Sequence, residues 1–443
     1  MGSQSPAIAS SADESIPMPG DEDIPMPGDE EPEVSSPSAP ASSVLSMPFE
    51  VRGYVENTTT VEYLRTTEEE ILLNAGRVRM NFAGEPSPSL DVGIGLVGTF
   101  NAGTTDVDLA GYLPDDLPAQ ILPDASDIFT YRLDEEELFV QEAFGTLYTE
   151  HLRLRVGRHK FYTGTGYAYN PIDLFNVKDP LDPTYETDGL DALLLTLNLP
   201  RQTELQGMIR YDDHLKTTDY LARLKTYFRG WDLAWQYTHF LKPRLDWEAL
   251  NTEEALTALL QGRSVEDFSR EFRWHLIAAE FSGELWGWGI YGEGGYVVVD
   301  APDDVGTLDE AAADHERLVV GIDHTFDMQL YCILEYLRFG QGRTDSSHIT
   351  LNDRLAYLTG EILSANRDTL YAGVSYPLTD LIEVSMYSLI GCNDPSAIFN
   401  PWLIYDLRPG LKLSVSVMLP VGDDESQHGK SGPSGFARLK WYF

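Results

Sequence analysis

Few residues in this chain have the types and spacing that chemistry demands. "GIGLVG", Gly93 to Gly98, has the G-x-G-x-x-G spacing that brings a backbone close to a pyrophosphate. That arrangement needs a helix N-terminus to receive the phosphates, and here the chain continues "TFNAGTTDVD", turn-rich and acidic. The segment therefore reads as a glycine-rich strand. "GKS", Gly429 to Ser431, lacks the upstream glycine of a phosphate loop, where Asp424 stands. The nine histidines include no H-E-x-x-H pair. Cys332 and Cys392 are the only cysteines and lie far apart, so neither a disulfide framework nor a thiolate metal site is suggested, and no C-x-x-C-H haem motif occurs. A Ser–His–Asp triad needs only proximity in space, so an enzyme set in a barrel wall stays a third alternative, but the expectation is no enzyme.

The informative segment is "GRHKFYTGTGYAYNPIDLFNVKDPLDP", Gly157 to Pro183. Tyr167, Tyr169, Asn170, Asp173, Asp179 and Asp182 are too dense here for a floppy excursion, so an ordered loop is expected. Two readings stay open: a loop folded into a lumen, narrowing a pore, or a cap packed on a barrel rim. The three aspartates are hard oxygen ligands, but their spacing matches no calcium loop. No cofactor is expected, with Ca²⁺ on acidic outer loops as the alternative.

These residues must be positioned by strands. In "GLKLSVSVMLP", Leu411, Leu413, Val415, Val417 and Leu419 share one face, and Lys412, Ser414, Ser416 and Met418 the other. That is period two, the mark of a strand with one apolar face. "GRVRMNF", "HLRLRVG" and the final "GFARLKWYF" repeat it. About eighteen such segments begin near residues 47, 71, 88, 137, 152, 190, 202, 217, 231, 271, 286, 315, 329, 368, 380, 396, 410 and 434. Tight links such as "RG" at 229–230 and "RPG" at 408–410 follow every second strand. Most of the intervening links are long and acidic, with two short ones near 212–216 and 392–395. No run of about eighteen apolar residues is present, but a transmembrane strand needs only about 9–11 residues.

The expected fold is therefore all-β: a transmembrane antiparallel β-barrel of about 18 strands (16–18), over residues 44–443. Short turns face the periplasm and long loops the exterior. Trp231, Trp286, Trp288 and Trp441 lie near periplasmic strand ends, as an aromatic girdle would. Residues 1–43 hold a repeated Ile-Pro-Met-Pro-Gly-Asp-Glu unit and no Lys or Arg, and are expected to form a disordered acidic arm. The opening "MGSQSPAIAS" lacks the regions of a secretory signal, so a native signal peptide is taken to have been removed and "MGS" to be a cloning remnant.

The chain ends on alternating Leu439, Trp441 and Phe443. This resembles the C-terminal insertion signal of bacterial outer-membrane barrels, which implies the barrel-assembly machinery as a partner. The segment from Gly157 resembles the most distinctive stretch of a group of porin-like Gram-negative outer-membrane β-barrel proteins. In those, a Gly-Arg-Gln strand leads into Gly-x-Gly, Asn-Pro-x-Asp and Asp-Pro repeats. Here His159 replaces the usual Gln and Val177 a usual Pro. The likeness covers 47–443 in layout and some thirty residues in motif, and implies a barrel and the bacterial outer membrane. A looser likeness to alginate-export barrels rests on strand number and the Arg-Gly pattern.

With the apolar faces toward lipid, Arg52, Arg77, Arg79, Arg153, Arg155, Arg223, Lys225, Glu50 and Glu56 would line the lumen. A lipid-facing Lys or Arg costs about 2–4 kcal/mol at the bilayer midplane, which supports placing them inside. Either the cations favour anions or acidic sugars, or they pair with glutamates and fill the barrel. The balance of 71 acidic to 31 basic residues argues against nucleic acid. The sequence predicts an outer-membrane, porin-like channel for small polar or anionic solutes, without covalent chemistry. Its alternative is a partner-dependent barrel: part of a polysaccharide exporter, or a cytochrome sheath, with the arm held by a periplasmic protein. Acidic outer loops could bridge through divalent cations to lipopolysaccharide.

Overall fold

The structure is a computed structural model. It describes residues 49–64, 69–108, 130–182, 186–211, 218–245, 269–300, 313–345, 362–423, 426–429 and 431–443, with isolated positions between 347 and 357. The acidic arm expected over 1–43, and much of the long outer links, lie outside the described residues.

Period-two patterning yields β1 (Phe49–Leu64), β2 (Glu69–Ser87), β3 (Leu90–Gly103), β4 (Asp106–Asp108), β5 (Thr130–Arg132), β6 (Glu136–Tyr148) and β7 (Leu152–His159). There follow β8 (Leu190–Leu199), β9 (Thr203–Tyr211), β10 (Thr218–Phe228), β11 (Trp231–Leu245), β12 (Ser269–Leu285) and β13 (Trp288–Asp300). The remainder are β14 (His315–Thr325), β15 (Tyr331–Phe339), β16 (Asp368–Thr379), β17 (Ile382–Gly391), β18 (Ala397–Arg408), β19 (Leu411–Val421) and β20 (Ser434–Tyr442). Eighteen of them form one closed antiparallel sheet. The exception is β4–β5, a separate ribbon in the link between β3 and β6, which the sequence reading had taken as plain loop.

Each strand pairs with its neighbours along the chain, and β20 returns to β1 from Tyr54↔Tyr442 to Glu62↔Ser434. The last residue completes the seam: Gly53 and Phe443 exchange backbone hydrogen bonds, each at 2.9 Å. Within lipid this matters, because an unpaired strand edge leaves polar groups that hydrocarbon cannot satisfy.

The hairpin turns on the same end as both termini are tight. Arg229–Gly230 (φ 53°, 89°) and Trp286–Gly287 (φ 57°, 80°) are left-handed at both central positions, the twist that two-residue hairpins require. Burial alternates as the pattern predicted. On β19, Ser414 and Ser416 are buried in the barrel, while Val415, Val417 and Leu419 face outward. Trp231, Trp288 and Trp441 lie on the outward face at the turn end, and Trp286 projects from its turn at 89% exposure, so all four stand at one end of the barrel.

The seam is close-packed. A Cβ on Gly53 would lie 2.2 Å from the Arg79 carbonyl oxygen and 2.7 Å from the Phe443 ring. Gly53→Val should therefore cost about 1–3 kcal/mol or more by overpacking. The expected outcome is a lower temperature for loss of the compact, heat-modifiable band on cold gel electrophoresis; an unchanged temperature would show that the seam yields freely.

Candidate functional site

The chain that leaves β7 does not rise over the rim. Residues 160–182 and 186–189 lie inside the lumen and meet strands on several sides of the wall. Gly157 starts the departure in a left-handed conformation (φ 114°), with no room for a Cβ beside the Ala143 carbonyl. Arg158 points outward and pairs with Asp191 at 2.5 Å, while His159 is buried inside.

The Gly-x-Gly turn then meets two carboxylates of the wall. Glu293 on β13 accepts the backbone N–H groups of Thr165, Gly166 (3.1 Å) and Ile172 (3.3 Å). Glu335 on β15 accepts those of Tyr167 and Ala168 (2.7 Å), and the Tyr291 hydroxyl donates to it at 2.8 Å. Both glycines are steric necessities. A Cβ on Gly164 (φ 95°) would sit 2.4 Å from a Glu293 oxygen, and one on Gly166 would sit 2.0 Å from the Tyr169 carbonyl oxygen.

The Asn-Pro-x-Asp motif ties the next turn. Asn170 donates to the Thr163 carbonyl at 3.0 Å. The Asp173 carboxylate accepts from the backbone N–H groups of Thr163, Phe175 and Asn176 and from the Asn176 side chain, all within 3.1 Å. Asp179 caps its own turn through the N–H groups of Leu181 and Asp182. The loop then reaches the opposite wall: Asn400 and Trp402 donate to the Leu181 carbonyl at 2.6 and 3.2 Å, and Arg438 pairs with Asp182 at 2.8 Å. Elsewhere Arg317 donates to the Pro171 carbonyl and Gln236 to that of Ile172. Glu186 ends the path, accepting from Tyr54 (3.0 Å), Arg79 (2.9 Å) and Arg77 (3.4 Å).

Apolar packing seats the loop as firmly. Phe161, Ile172 and Phe175 join a buried cluster with Phe240, Trp274 and Leu276 of the wall. Ala168, Tyr169 and Leu181 join a second with Phe339, Tyr371 and Trp402. Burial pushes the Asp173 carboxyl up to about 6 despite its hydrogen bonds. Asp179 is pushed to about 6 by burial and by neighbouring Asp182. Burial likewise raises the Tyr167 and Tyr169 hydroxyls above their ordinary value.

The structure sorts the basic residues expected in the lumen into three groups. Arg52 and Glu50 pair with each other at the exposed turn-end mouth. Arg77 and Arg79 are buried against Glu186 and Glu142, Arg223 pairs with Glu280, and Glu56 lies near Arg438 and Lys440. Arg153, Arg155 and Lys225 are half-buried on the turn side of the loop, and among the described residues no carboxylate forms an ion pair with them. The sequence reading missed Glu186, Glu293 and Glu335. Glu293 and Glu335 were visible only as carboxylates in glycine-rich or apolar stretches, "YGEGGYV" and "CILEYLRF", and Glu186 only as one acid in the polar link "PTYETDG". The three loop aspartates are not gathered on one point: Asp173 is enclosed by N–H donors and Asp182 is held by Arg438.

No family model matches the chain, and no curated protein matches its sequence. Solved structures do. OccAB4 and OccAB3 of Acinetobacter baumannii, outer-membrane porins, superpose with TM-scores of 0.51 and 0.50 at 10% identity, over 89% of this chain and 98% and 99% of theirs. The outer membrane protein opdK of Pseudomonas aeruginosa is similar over 89% of this chain and 99% of its own, at 10% identity and a TM-score of 0.48. The chain shares the porin fold.

Two outcomes follow. Gly164→Val forces a side chain into the Glu293 contact at a left-handed position, a strain of about 1–3 kcal/mol. Amide exchange at 165–168 should accelerate about tenfold or more, and unchanged protection would show that the Glu293 latch is dispensable. The second concerns pH. A folded carboxyl raised to about 6 binds its proton more tightly than the unfolded one, so its contribution to stability is present below 3.8 and lost as pH rises through about 6. Loop protection, corrected for intrinsic exchange, should be greater at pH 5 than at pH 7; the reverse trend would mean that the hydrogen bonds outweigh burial.

Proposed function

We propose that this chain is an outer-membrane, porin-like channel for small polar solutes, with a preference for anions and without covalent chemistry. One observation carries the reading: among the described residues, the chain that follows β7 crosses the lumen and is bonded to strands on opposite walls. An eighteen-stranded barrel is wide enough for an aqueous channel, and such a loop narrows it to a small-molecule passage. The fold shared with OccAB4 and OccAB3 supports the same reading. Strands with apolar outward faces and a tryptophan girdle support a place in the outer membrane.

The anion preference rests on the cations that lack carboxylate partners. Arg77, Arg79 and Arg223 are neutralised in place, so the lumen is no continuous basic belt. Arg153, Arg155 and Lys225 retain their field toward the passage. A sheath around another protein fits less well, because the chain's own loop occupies the lumen.

The test is single-channel current through the full chain in a planar bilayer, in 1 M KCl and then across a salt gradient. Stepwise conductance is expected, and R153Q/R155Q/K225Q should shift the reversal potential toward cations. Silence from folded barrel would overturn the channel. An unmoved reversal potential would overturn the role of these three residues.

A further inference from the structure

A buried cation is costly unless an anion shares its site, and the described part of this barrel meets that demand at every such cation but one. Arg77, Arg79, Arg317, Arg438 and Lys440 are the buried basic side chains among the described residues. Arg77 and Arg79 pair with Glu186, Arg438 pairs with Asp182, and Lys440 lies 3.4 Å from Glu56. Arg317, near the link end of β14, is only 5% exposed and forms no ion pair with any described carboxylate. Its three hydrogen bonds all go to neutral acceptors: His315 Nε2 at 3.2 Å, the Pro171 carbonyl at 3.2 Å and Gln341 Oε1 at 3.0 Å. His315 Nδ1 donates to the Ala313 carbonyl at 2.9 Å, which places the ring proton there and lets Nε2 accept from Arg317. Glu293 stands diagonally across from Arg317 in the β13–β14 register, but both its oxygens are taken by N–H groups of the loop. A guanidinium keeps its proton in a protein, so this charge persists.

A second orphan lies beside the first. The Arg317 guanidinium carbon is 4.9 Å from the centroid of the Trp274 ring, and the His315 ring packs edge-on to the same indole at 5.2 Å. Trp274 is 2% exposed, yet its indole N–H finds no acceptor among the described residues. Lys242 Nζ stands 5.9 Å from that ring and adds to the positive field. On Arg317 itself, two of the five N–H donors remain, one on each Nη. Buried donors of this kind call for an ordered water or an ion. A water would satisfy the N–H groups and leave the charge; an anion satisfies both. The open groups beside Trp274 are donors, so the occupant is an acceptor, and one unmatched charge at so enclosed a position suits a small monoanion.

We propose that Arg317 and Trp274 hold a resident chloride ion, and that this ion fastens the Asn-Pro turn of the loop to the wall at β12 and β14. The site is separate from Arg153, Arg155 and Lys225, and it stands whether or not the barrel conducts. Arg317 already grips the turn through the Pro171 carbonyl. An anion on its remaining donors relieves the cost of burying the guanidinium, so it strengthens that grip without touching the loop. The loop is therefore held more firmly in chloride than in a salt whose anion is too large to enter.

Two measurements on the full folded chain test it. In crystals soaked in sodium bromide, an anomalous difference peak is expected within hydrogen-bonding distance of an Arg317 Nη and of Trp274 Nε1. In solution, amide exchange at 172–176 should slow as chloride replaces gluconate at constant ionic strength, by about tenfold when chloride reaches about ten times its dissociation constant. R317M should remove the dependence on chloride. W274F keeps the cation and an aromatic ring but loses the N–H donor, so it should move the midpoint to about tenfold higher chloride. It tests the site even where R317M does not fold. A site without a bromide peak, or a chloride dependence that both variants leave intact, would overturn the proposal, as would a carboxylate of this chain found on Arg317 in place of the ion. Neither readout uses current. A bromide peak in a barrel that never conducts upholds the site and overturns the channel alone, and conduction with no peak does the reverse.

Discussion

Hydrocarbon offers no partner to a peptide group, and this one constraint organises the molecule. Every N–H and C=O between the two interfaces must find another strand, so the sheet has to close and the last strand has to reach the first. The Gly53–Phe443 pair is where that requirement is finally met at the seam. An even strand number puts both ends at one mouth. The same rule sets the alternation: apolar side chains face lipid and polar ones face the lumen, because a one-residue slip would reverse both.

The constraint recurs inside the barrel in another form. A loop that enters a lumen carries backbone donors away from bulk water, and those donors also need acceptors. Glu293 and Glu335 supply them, taking five N–H groups of one turn between them. Arg317, Asn400 and Trp402 answer the carbonyls of Pro171 and Leu181. Charge-assisted bonds are the strong ones, and they are placed where the loop is farthest from its own strands. Buried carboxylates are costly unless satisfied, so each of these glutamates is committed to holding the loop and is not available to a passing solute.

What the sequence displayed and what it hid follow from range. Strand positions were legible because lipid imposes period two locally, and the starts read from "GLKLSVSVMLP" or "HLRLRVG" fall within two residues of β19 and β7. The β10–β11 turn was legible because Arg229–Gly230 stands between two alternating runs, whereas Trp286–Gly287 was read as the start of a strand and is a turn. The Gly-x-Gly and Asn-Pro-x-Asp motifs announced an ordered loop, but not where it lay. Its destination is decided by Glu293, Glu335 and Arg438, more than a hundred residues away, and no local pattern reports such a partner. For the same reason Arg77 and Arg153 looked alike as inward cations in a strand. Only the folded chain distinguishes the one that Glu186 neutralises from the one left unpaired.

The inward face of this barrel is also less polar than a water-filled channel requires. Phe240, Trp274 and Leu276 form one apolar patch, and Phe339, Tyr371 and Trp402 another. Both are covered by the loop. Burying a side chain such as Phe, Ile or Leu is worth about 1.5–3 kcal/mol. Phe161, Ile172, Phe175 and Leu181 alone therefore hold the loop by something on the order of 10 kcal/mol, before its hydrogen bonds are counted. A lid meant to swing out would expose this surface at every opening, and the fluctuation would be vanishingly rare. The loop is better understood as the core of the barrel, the element that turns a wide cylinder into a packed structure. On the channel reading proposed above, selection would then come from the space the loop leaves and from the charges at the turn-end mouth, Arg153, Arg155 and Lys225 among them.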